Sequence, residues 1–481
     1  MFPLKKISPH LWEIPSSSKK GMLAPAWIFS SDELIKELDC KVYEQICNAA
    51  MLPGIVKHAL CMPDAHPGYG FPIGGVVATD IDEGGAISPG GIGYDINCGI
   101  RLLTSNLSYK EVKPHLKELI NALFLKIPSG ISSKGIKRLG KKEFQEILEK
   151  GSLWCIQNGY GWEEDLLLTE EKGCIKNTDP SFISKKAIER GYTQMGSLGS
   201  GNHYLEIQVV NDIYDKEIAK VFGITMPDQV TIMFHCGSRA FGHQVAVDYL
   251  DLFSKIMESE YKIKMPNKEL VCAPFYSPEG KKYFSAMQCA MNAAYANRQI
   301  ILHQIREVFS EIFGRSAKDL GMQMVYDAAH NTAKLEKYEI DGKEHTLLVH
   351  RKGAAKALAP KMEGLPRAYQ NVGQPAILGG SMESASYLLL GSEKGKKSFF
   401  STAHGSGRKI SRAKAKKKWK GSDILKNMKE KGIYIKTHSP QNLAEETGAA
   451  YKNIDAVIDA TVKSDLSRKV ARFQPIANLK G

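Results

Sequence analysis

The chain has 481 residues, 43% hydrophobic and 24% charged, which is enough apolar material for a sizeable core and unlike a disordered tract. A net charge of +13 favours anionic partners, nucleic acid first, although a basic surface also serves solubility alone. No run of about 18 apolar residues occurs, so no transmembrane helix is expected.

The opening segment, MFPLKKISPHLWEIP, places Pro3, Pro9 and His10 where a signal peptide would need unbroken apolar sequence, so the chain reads as cytosolic, or nuclear in a eukaryote. Ser31 and Asp32 are expected to cap one helix over SDELIKELDCKVYEQICNAA, with Leu34, Ile35 and Leu38 at helical spacing. A second helix is expected from Ser108 through LKELINALFLKI. A short buried strand is expected at 231–235, TIMFH. A long helix is expected over 283–313, with an apolar face of Met287, Ala290, Ala294, Ile300, Ile301 and Ile305, and another strand at 346–350, TLLVH. Helices and strands mix without a βαβ rhythm, which points to an α+β fold rather than a doubly wound sheet. We see no internal repeat. Nine cysteines, an odd number with no C-x-x-C pair, argue against a disulfide framework or a zinc ribbon and read mostly as small buried hydrophobes.

Four glycine-rich segments lie between these elements: 62–75, 88–99, 196–206 and 401–412. Glycine allows close backbone approach to a ligand, and these segments also carry His, Asp, Asn or Cys, unlike plain linkers. The stretch 408–420, RKISRAKAKKKWK, holds eight Lys or Arg and no acid. It suits either a solvated helix face or a phosphate-backbone contact with Trp419 as a stacking surface.

Two apparent motifs fail on spacing. GSEKGKKS at 391–398 has three residues between its glycines where a P-loop has four. KYEIDG at 337–342 puts Glu339 where a lysine-nucleophile ligase motif would need lysine.

Asp95, Cys98, His203, His235 and His330 each sit beside glycine or small residues. Three imidazoles, a carboxylate and a thiolate that can bridge form a donor set for two divalent ions, and such a pair can clamp a phosphoryl group. The five come from distant segments, so spacing supplies no local signature, and each histidine alone also fits an ordinary structural position. His404, in AHGSGR, has the surroundings of a covalent nucleophile or of another metal ligand; the N–H groups of Gly405, Ser406 and Gly407 could cradle a phosphate.

The segments MPDAHPGYGFPIGG, GGIGYDINCGIR, GSGNHYLE, FHCGSRAFGH, AHNTA, GGSMESASYL, AHGSGRKISR and the terminal ANLKG, in this order, resemble the RtcB family of tRNA-splicing RNA ligases over nearly the whole chain. The resemblance implies one catalytic domain over 1–481 that joins RNA 3′-phosphate or 2′,3′-cyclic phosphate ends to 5′-hydroxyl ends, with GTP and two manganese ions. Cys98, His203 and His235 would hold one ion, and Asp95, Cys98 and His330 the other. His404 would carry GMP, and Asp64 would orient it. Asn202, Glu206, Asn331, Ser381, Ser386, Gly405, Ser406, Gly407, Tyr451 and Lys480 would line the nucleotide pocket, and Arg239 and Arg412 would contact RNA phosphates. An activator of the archease type is a further partner of such enzymes. Ser406 departs from the usual alanine and Ile410 from the usual methionine, which leaves nucleotide preference open. Two other readings are a non-ligating RNA-binding protein and a phosphoesterase that stops at the opened cyclic phosphate. The intact metal and histidine set speaks against the first, and the pocket ending in Lys480 against the second.

Overall fold

The computed structural model describes residues 3–130, 133–135 and 139–481; the first two residues of the opening segment lie outside them. Two large sheets carry the fold. The first has seven strands in the order Lys5–Ser8, Leu11–Ile14, Ala26–Phe29, Ala59–His66, Ile73–Asp80, Lys343–Lys352, Asn331–Ile340. The second follows the order Met324–Ala329, Gly99–Leu103, Val230–Cys236, Tyr204–Ile213, Ser467–Lys480, Ser386–Gly391, Pro375–Leu378, and Tyr434–Thr437 adds parallel to the 467–480 strand. This is the expected α+β class. The strands at 230–236 and 343–352 contain and extend the two short strands expected from sequence.

The long helix runs Pro278–Phe313, capped by the Ser277 hydroxyl and ended by Gly314 in the left-handed region. Its expected apolar face is buried. Polar residues interrupt that face at Asn297 and Arg298, and they too are fully buried. Arg298 donates to the carbonyls of Asn97 at 2.7 Å and Cys236 at 3.0 Å, and shares Asp327 with Arg101. One guanidinium thus holds the residues adjoining Cys98 and His235, and its carboxylate partner offsets the cost of burying it.

Two helices differ from expectation. Residues 31–50 form Asp32–Lys36 and Cys40–Ala49, because Asp39 turns extended and caps the second piece by accepting from Lys41 N. The Ser108 helix opens with a capping box to Glu111, but Pro114 forces a 3₁₀ turn before Leu116–Lys126. The rejected KYEIDG stretch ends in the tight turn of an antiparallel hairpin, with Asp341 and Gly342 exposed at positive φ, while its Tyr338 is buried. No helix among the described residues is long and apolar enough to cross a membrane.

Candidate metal and nucleophile site

The five proposed ligands gather at one end of the second sheet. Cys98 immediately precedes strand 99–103, and His330 follows strand 324–329 on one side of it. His235 sits near the end of strand 230–236 on the other side, and His203 precedes strand 204–213 beyond that. His330 is also the single residue between the two sheets' strands 324–329 and 331–340, so the site lies at the seam.

Cys98 Sγ lies 3.3 Å from His203 Nε2 and 3.0 Å from His235 Nε2; His235 Nε2 lies 3.0 Å from His330 Nε2, and His203 Nε2 lies 2.8 Å from Asp95 Oδ2. Two compact triads result, Asp95–Cys98–His203 and Cys98–His235–His330. Cys98 is common to both groups, and its Sγ lies within 3.3 Å of both His203 Nε2 and His235 Nε2, the pair expected to share an ion with it. His235 and His330 flank the strand of Cys98, and the loop bearing Asp95 folds toward His203. Gly237 permits this approach, since a Cβ there would come within 2.4 Å of the Asp95 carboxylate.

The electrostatics suit metal ligation. Burial and then the neighbouring imidazoles push His235 and His330 far below the usual histidine range, so both are neutral donors. His235 Nδ1 lies 3.1 Å from the Asn202 carbonyl, which fixes the tautomer and leaves Nε2 for a ligand. Burial opposes ionisation of Asp95, but the hydrogen bond and charge of His203 outweigh it and hold the carboxyl low. Burial and Asp95 push the Cys98 thiol up, so metal must displace a proton there. Three imidazoles, a carboxylate and a bridging sulfur within these distances fit a pair of divalent first-row ions.

His404 stands outside both triads. It follows strand Ser401–Ala403, and its ring centroid lies 4.8 Å from that of His330. Its Nδ1 lies 2.6 Å from Asp64 Oδ2, and the same oxygen accepts from the backbone N–H of His404 and Gly405. Asp64 is fully buried; burial opposes its charge, and His404 holds it low. A carboxylate in ion-pair contact with Nδ1 favours a proton on that nitrogen and leaves the lone pair on Nε2, an arrangement open to nucleophilic chemistry. Gly407, at φ +70°, lets the loop close: a Cβ there would lie 2.0 Å from the Asp64 carbonyl.

A cavity of about 600 Å³ joins these parts. Of the expected nucleotide residues, Asn202, Asn331, Ser381, Gly405, Ser406, Gly407, Tyr451 and Lys480 line it. Glu206 and Ser386 do not. Glu206 is buried behind the wall, where it accepts from Gln208 Nε2 at 2.7 Å, and Gln208 also donates to Ser386 Oγ. The phosphate cradle expected of the glycine loop is reduced: Gly405 N–H goes to Asp64, and the Ser406 N–H and hydroxyl both go to the Gly379 carbonyl. Ser406 is thereby turned from the cavity's phosphate chemistry toward the backbone. Asn331 braces the site, donating to the Asp95 carbonyl and accepting from Gly353 N.

The two expected RNA contacts part ways. Arg412 lines the cavity and is half exposed. Arg239 is held inside, donating to Ser197 Oγ, Gly130 O and Ser133 Oγ, because its left-handed backbone turns it toward the 196–201 loop. In the basic stretch, Arg412–Lys418 is helical and Lys416 pairs with Glu445, while Trp419 packs on the Met382–Ile424 cluster instead of standing free for stacking. Sequence reasoning missed Lys352, whose ammonium reaches the Tyr69 and Gly90 carbonyls at the cavity wall and is lowered to about 7 by burial. It missed Glu446 as well. A lone Lys or Glu in a strand or turn carries no mark of burial, so no local signal could have found either.

The family model "tRNA-splicing ligase RtcB" matches residues 45–481. The chain is 47% identical to the "tRNA-splicing ligase RtcB" of Archaeoglobus fulgidus over 479 residues, 99% of each chain, and 47% identical to that of Thermococcus kodakarensis over 483 residues, 100% of this chain and 99% of the relative. It is 48% identical to the "RNA-splicing ligase RtcB homolog 1" of Entamoeba histolytica over 440 residues, 91% of this chain and 83% of the relative. With the Asp64–His404 pair beside two metal-type triads and a match of this extent, the chain belongs to the tRNA-splicing ligase RtcB family, a family of RNA ligases.

Proposed function

We propose that this protein is a GTP- and manganese-dependent ligase that joins RNA 3′-phosphate or 2′,3′-cyclic phosphate ends to 5′-hydroxyl ends through a guanylylated His404, in tRNA splicing, RNA repair or both. The observation that carries the reading is the Asp64–His404 pair, 2.6 Å apart, with its ring packed on His330 of the metal-type cluster.

Two divalent ions held by Asp95, Cys98, His203, His235 and His330 would neutralise phosphate charge when bound. His404 Nε2 attacks the α-phosphorus of GTP; the N–P bond forms, the bond to the β-phosphate oxygen breaks, and pyrophosphate leaves. Asp64 keeps the Nδ1 proton and offsets the positive charge on the ring. An oxygen of the RNA 3′-phosphate then takes the GMP, and the imidazole is released. Finally the 5′-hydroxyl oxygen attacks the activated 3′-phosphorus, loses its proton, and expels GMP. A cyclic phosphate is first opened by water. The whole chain, 1–481, acts as one catalytic unit, since the metal-type ligands gather at the second sheet, which also holds Lys480, and Asp64, the partner of His404, belongs to the first.

The test is incubation with α-labelled GTP and manganese. Acid-labile label on the protein is expected, and magnesium alone should give none, because a thiolate-containing site favours softer ions. Protein that stays unlabelled with manganese would overturn the reading.

The C-terminal tail supplies a further expectation. Strand 467–480 pairs with strand 204–213, bringing Lys480 opposite Tyr204, and its ammonium donates to Gly201 O at 3.1 Å. Deleting Lys480 and Gly481 should slow guanylylation by at least about tenfold, as loss of a positioned cation does, without unfolding the sheet. A truncated enzyme labelling at the parent rate would make the tail a bystander.

Glu206 bears on nucleotide choice. Ionised, its carboxylate suits the guanine N1–H and N2–H₂ edge, so reaching the base requires it to lose the proton that burial retains and to exchange the Gln208 bond. Glu206→Ala should weaken the preference for GTP over ATP in label transfer. Burial raises the Glu206 carboxyl well above its usual range. The folded state then holds a proton that the unfolded state has lost, so stability falls as pH rises above the ordinary carboxylate range. Glu206→Gln should flatten that part of the melting-temperature profile; an unchanged slope would count against the assignment.

A further inference from the structure

Glu446 ends a 3₁₀ turn, Ala444–Glu446, and is buried against the cavity wall. Four groups from three other segments converge on its carboxylate. Arg412 Nε lies at 3.2 Å, Arg408 Nη1 at 3.4 Å and Lys480 Nζ at 3.6 Å, and the Tyr451 hydroxyl donates to it. Burial opposes the charge on Glu446, but the three cations outweigh it and hold the carboxyl low.

The two arginines are used differently. Arg408 spends all three nitrogens internally, on Ile410 O, on Glu446 and the Tyr451 hydroxyl, and on Glu445 O. Arg412 gives Nε to Glu446, and among the described residues its two terminal nitrogens have no hydrogen-bond partner. Its side chain is 47% exposed, and its guanidinium rests against Gly201, where a Cβ would come within 3.0 Å of Nη2. Lys480 reaches the same residue through the Gly201 carbonyl. With Glu446 and the nearby Glu445 set against Arg408, Arg412 and Lys480, and burial disfavouring charge on Glu206, a positive excess remains on this side of the cavity.

We propose that Glu446 is a positioning residue that aims Lys480 at the nucleotide and Arg412 at the RNA end, so that a single buried carboxylate sets the geometry of both group transfers. The inference rests on the ligase reading above. Arg408 is the strut of this arrangement: it buttresses Glu446 and Tyr451 and is not itself displayed to phosphate. Without the anion, three cations would repel one another across a buried site and the two long side chains would leave Gly201.

The experiment uses the full-length manganese-loaded enzyme with Glu446→Gln, alone and combined with Lys480→Ala or Arg412→Ala. Two steps are read separately: label transfer from α-labelled GTP over a range of GTP concentrations, and transfer of GMP from preloaded enzyme to an oligonucleotide 3′-phosphate. Glu446→Gln should raise the half-saturating GTP concentration and slow transfer to RNA, each by about tenfold or more, with bound manganese unchanged. It should add nothing to guanylylation once Lys480 is removed, and nothing to RNA transfer once Arg412 is removed, since its action runs through them. Equal effects in every background, or parent behaviour in Glu446→Gln, would overturn the role. If Glu446→Gln does not fold, Glu446→Asp carries the same cycle, because it keeps the charge and moves it back by one methylene. Wild-type enzyme that takes no label would overturn the ligase reading itself, and this role with it, whereas a labelled wild type with additive mutants overturns the role of Glu446 alone.

Discussion

His404→Ala should abolish covalent GMP and ligation while leaving metal binding intact. The reason is positional. His404 lies outside both ligand triads, so removing its imidazole takes no donor from either. It does remove the nitrogen that Asp64 prepares through a 2.6 Å contact to Nδ1. Loss of a covalent nucleophile should lower the rate by about 10⁴-fold or more. Asp64→Asn should lie between wild type and this limit, about 10²- to 10⁴-fold down, because an amide can present an N–H to Nδ1 and stabilise the wrong tautomer. Guanylylation by gel and manganese content by elemental analysis check both. Covalent GMP retained in His404→Ala would transfer the nucleophile to another residue. Manganese lost from His404→Ala would make His404 a ligand.

Cys98→Ala should cost the protein both metal ions at once, where His203→Ala and His330→Ala should each weaken one more than the other. Cys98 Sγ is the atom common to the two triads, and no other thiol joins them among the described residues. The pH behaviour follows from burial. The Cys98 thiol is pushed well above the usual range, so metal binding must release its proton, and apparent affinity should climb as pH rises. In Cys98→Ala the coupled proton release should fall. Titration calorimetry in two buffers of different ionisation enthalpy reads the proton directly. A Cys98→Ala enzyme that binds two manganese ions with wild-type affinity would remove the bridge from the site.

Sequence by itself determined the fold class, most of the long helix, expected over 283–313 and found over Pro278–Phe313, and the strands around 231–235 and 346–350, and it supplied the candidate site residues. It could do so because those elements are marked by local periodicity, and because glycine segments that carry His, Asp, Asn or Cys stand apart from plain linkers. The split of the 31–50 helix at Asp39 was also written locally, as a good capping residue, but it competed with an apolar pattern that runs through it. What pairs with what was decided only by the tertiary structure. The gathering of Cys98, His203, His235 and His330 at one end of the second sheet follows from its strand order, in which strand 99–103 lies between strands 324–329 and 230–236, each more than 100 positions away in the chain. The inward turn of Arg239, the engagement of Ser406 by Gly379 and the withdrawal of Glu206 behind Gln208 are likewise products of packing. Glu446 shows the limit most clearly: in sequence it is one acid in AEETG, and only folding surrounds it with Arg408, Arg412, Tyr451 and Lys480. Burial turns that ordinary carboxylate into a fixed point, because a charge removed from water must be held by the charges it meets.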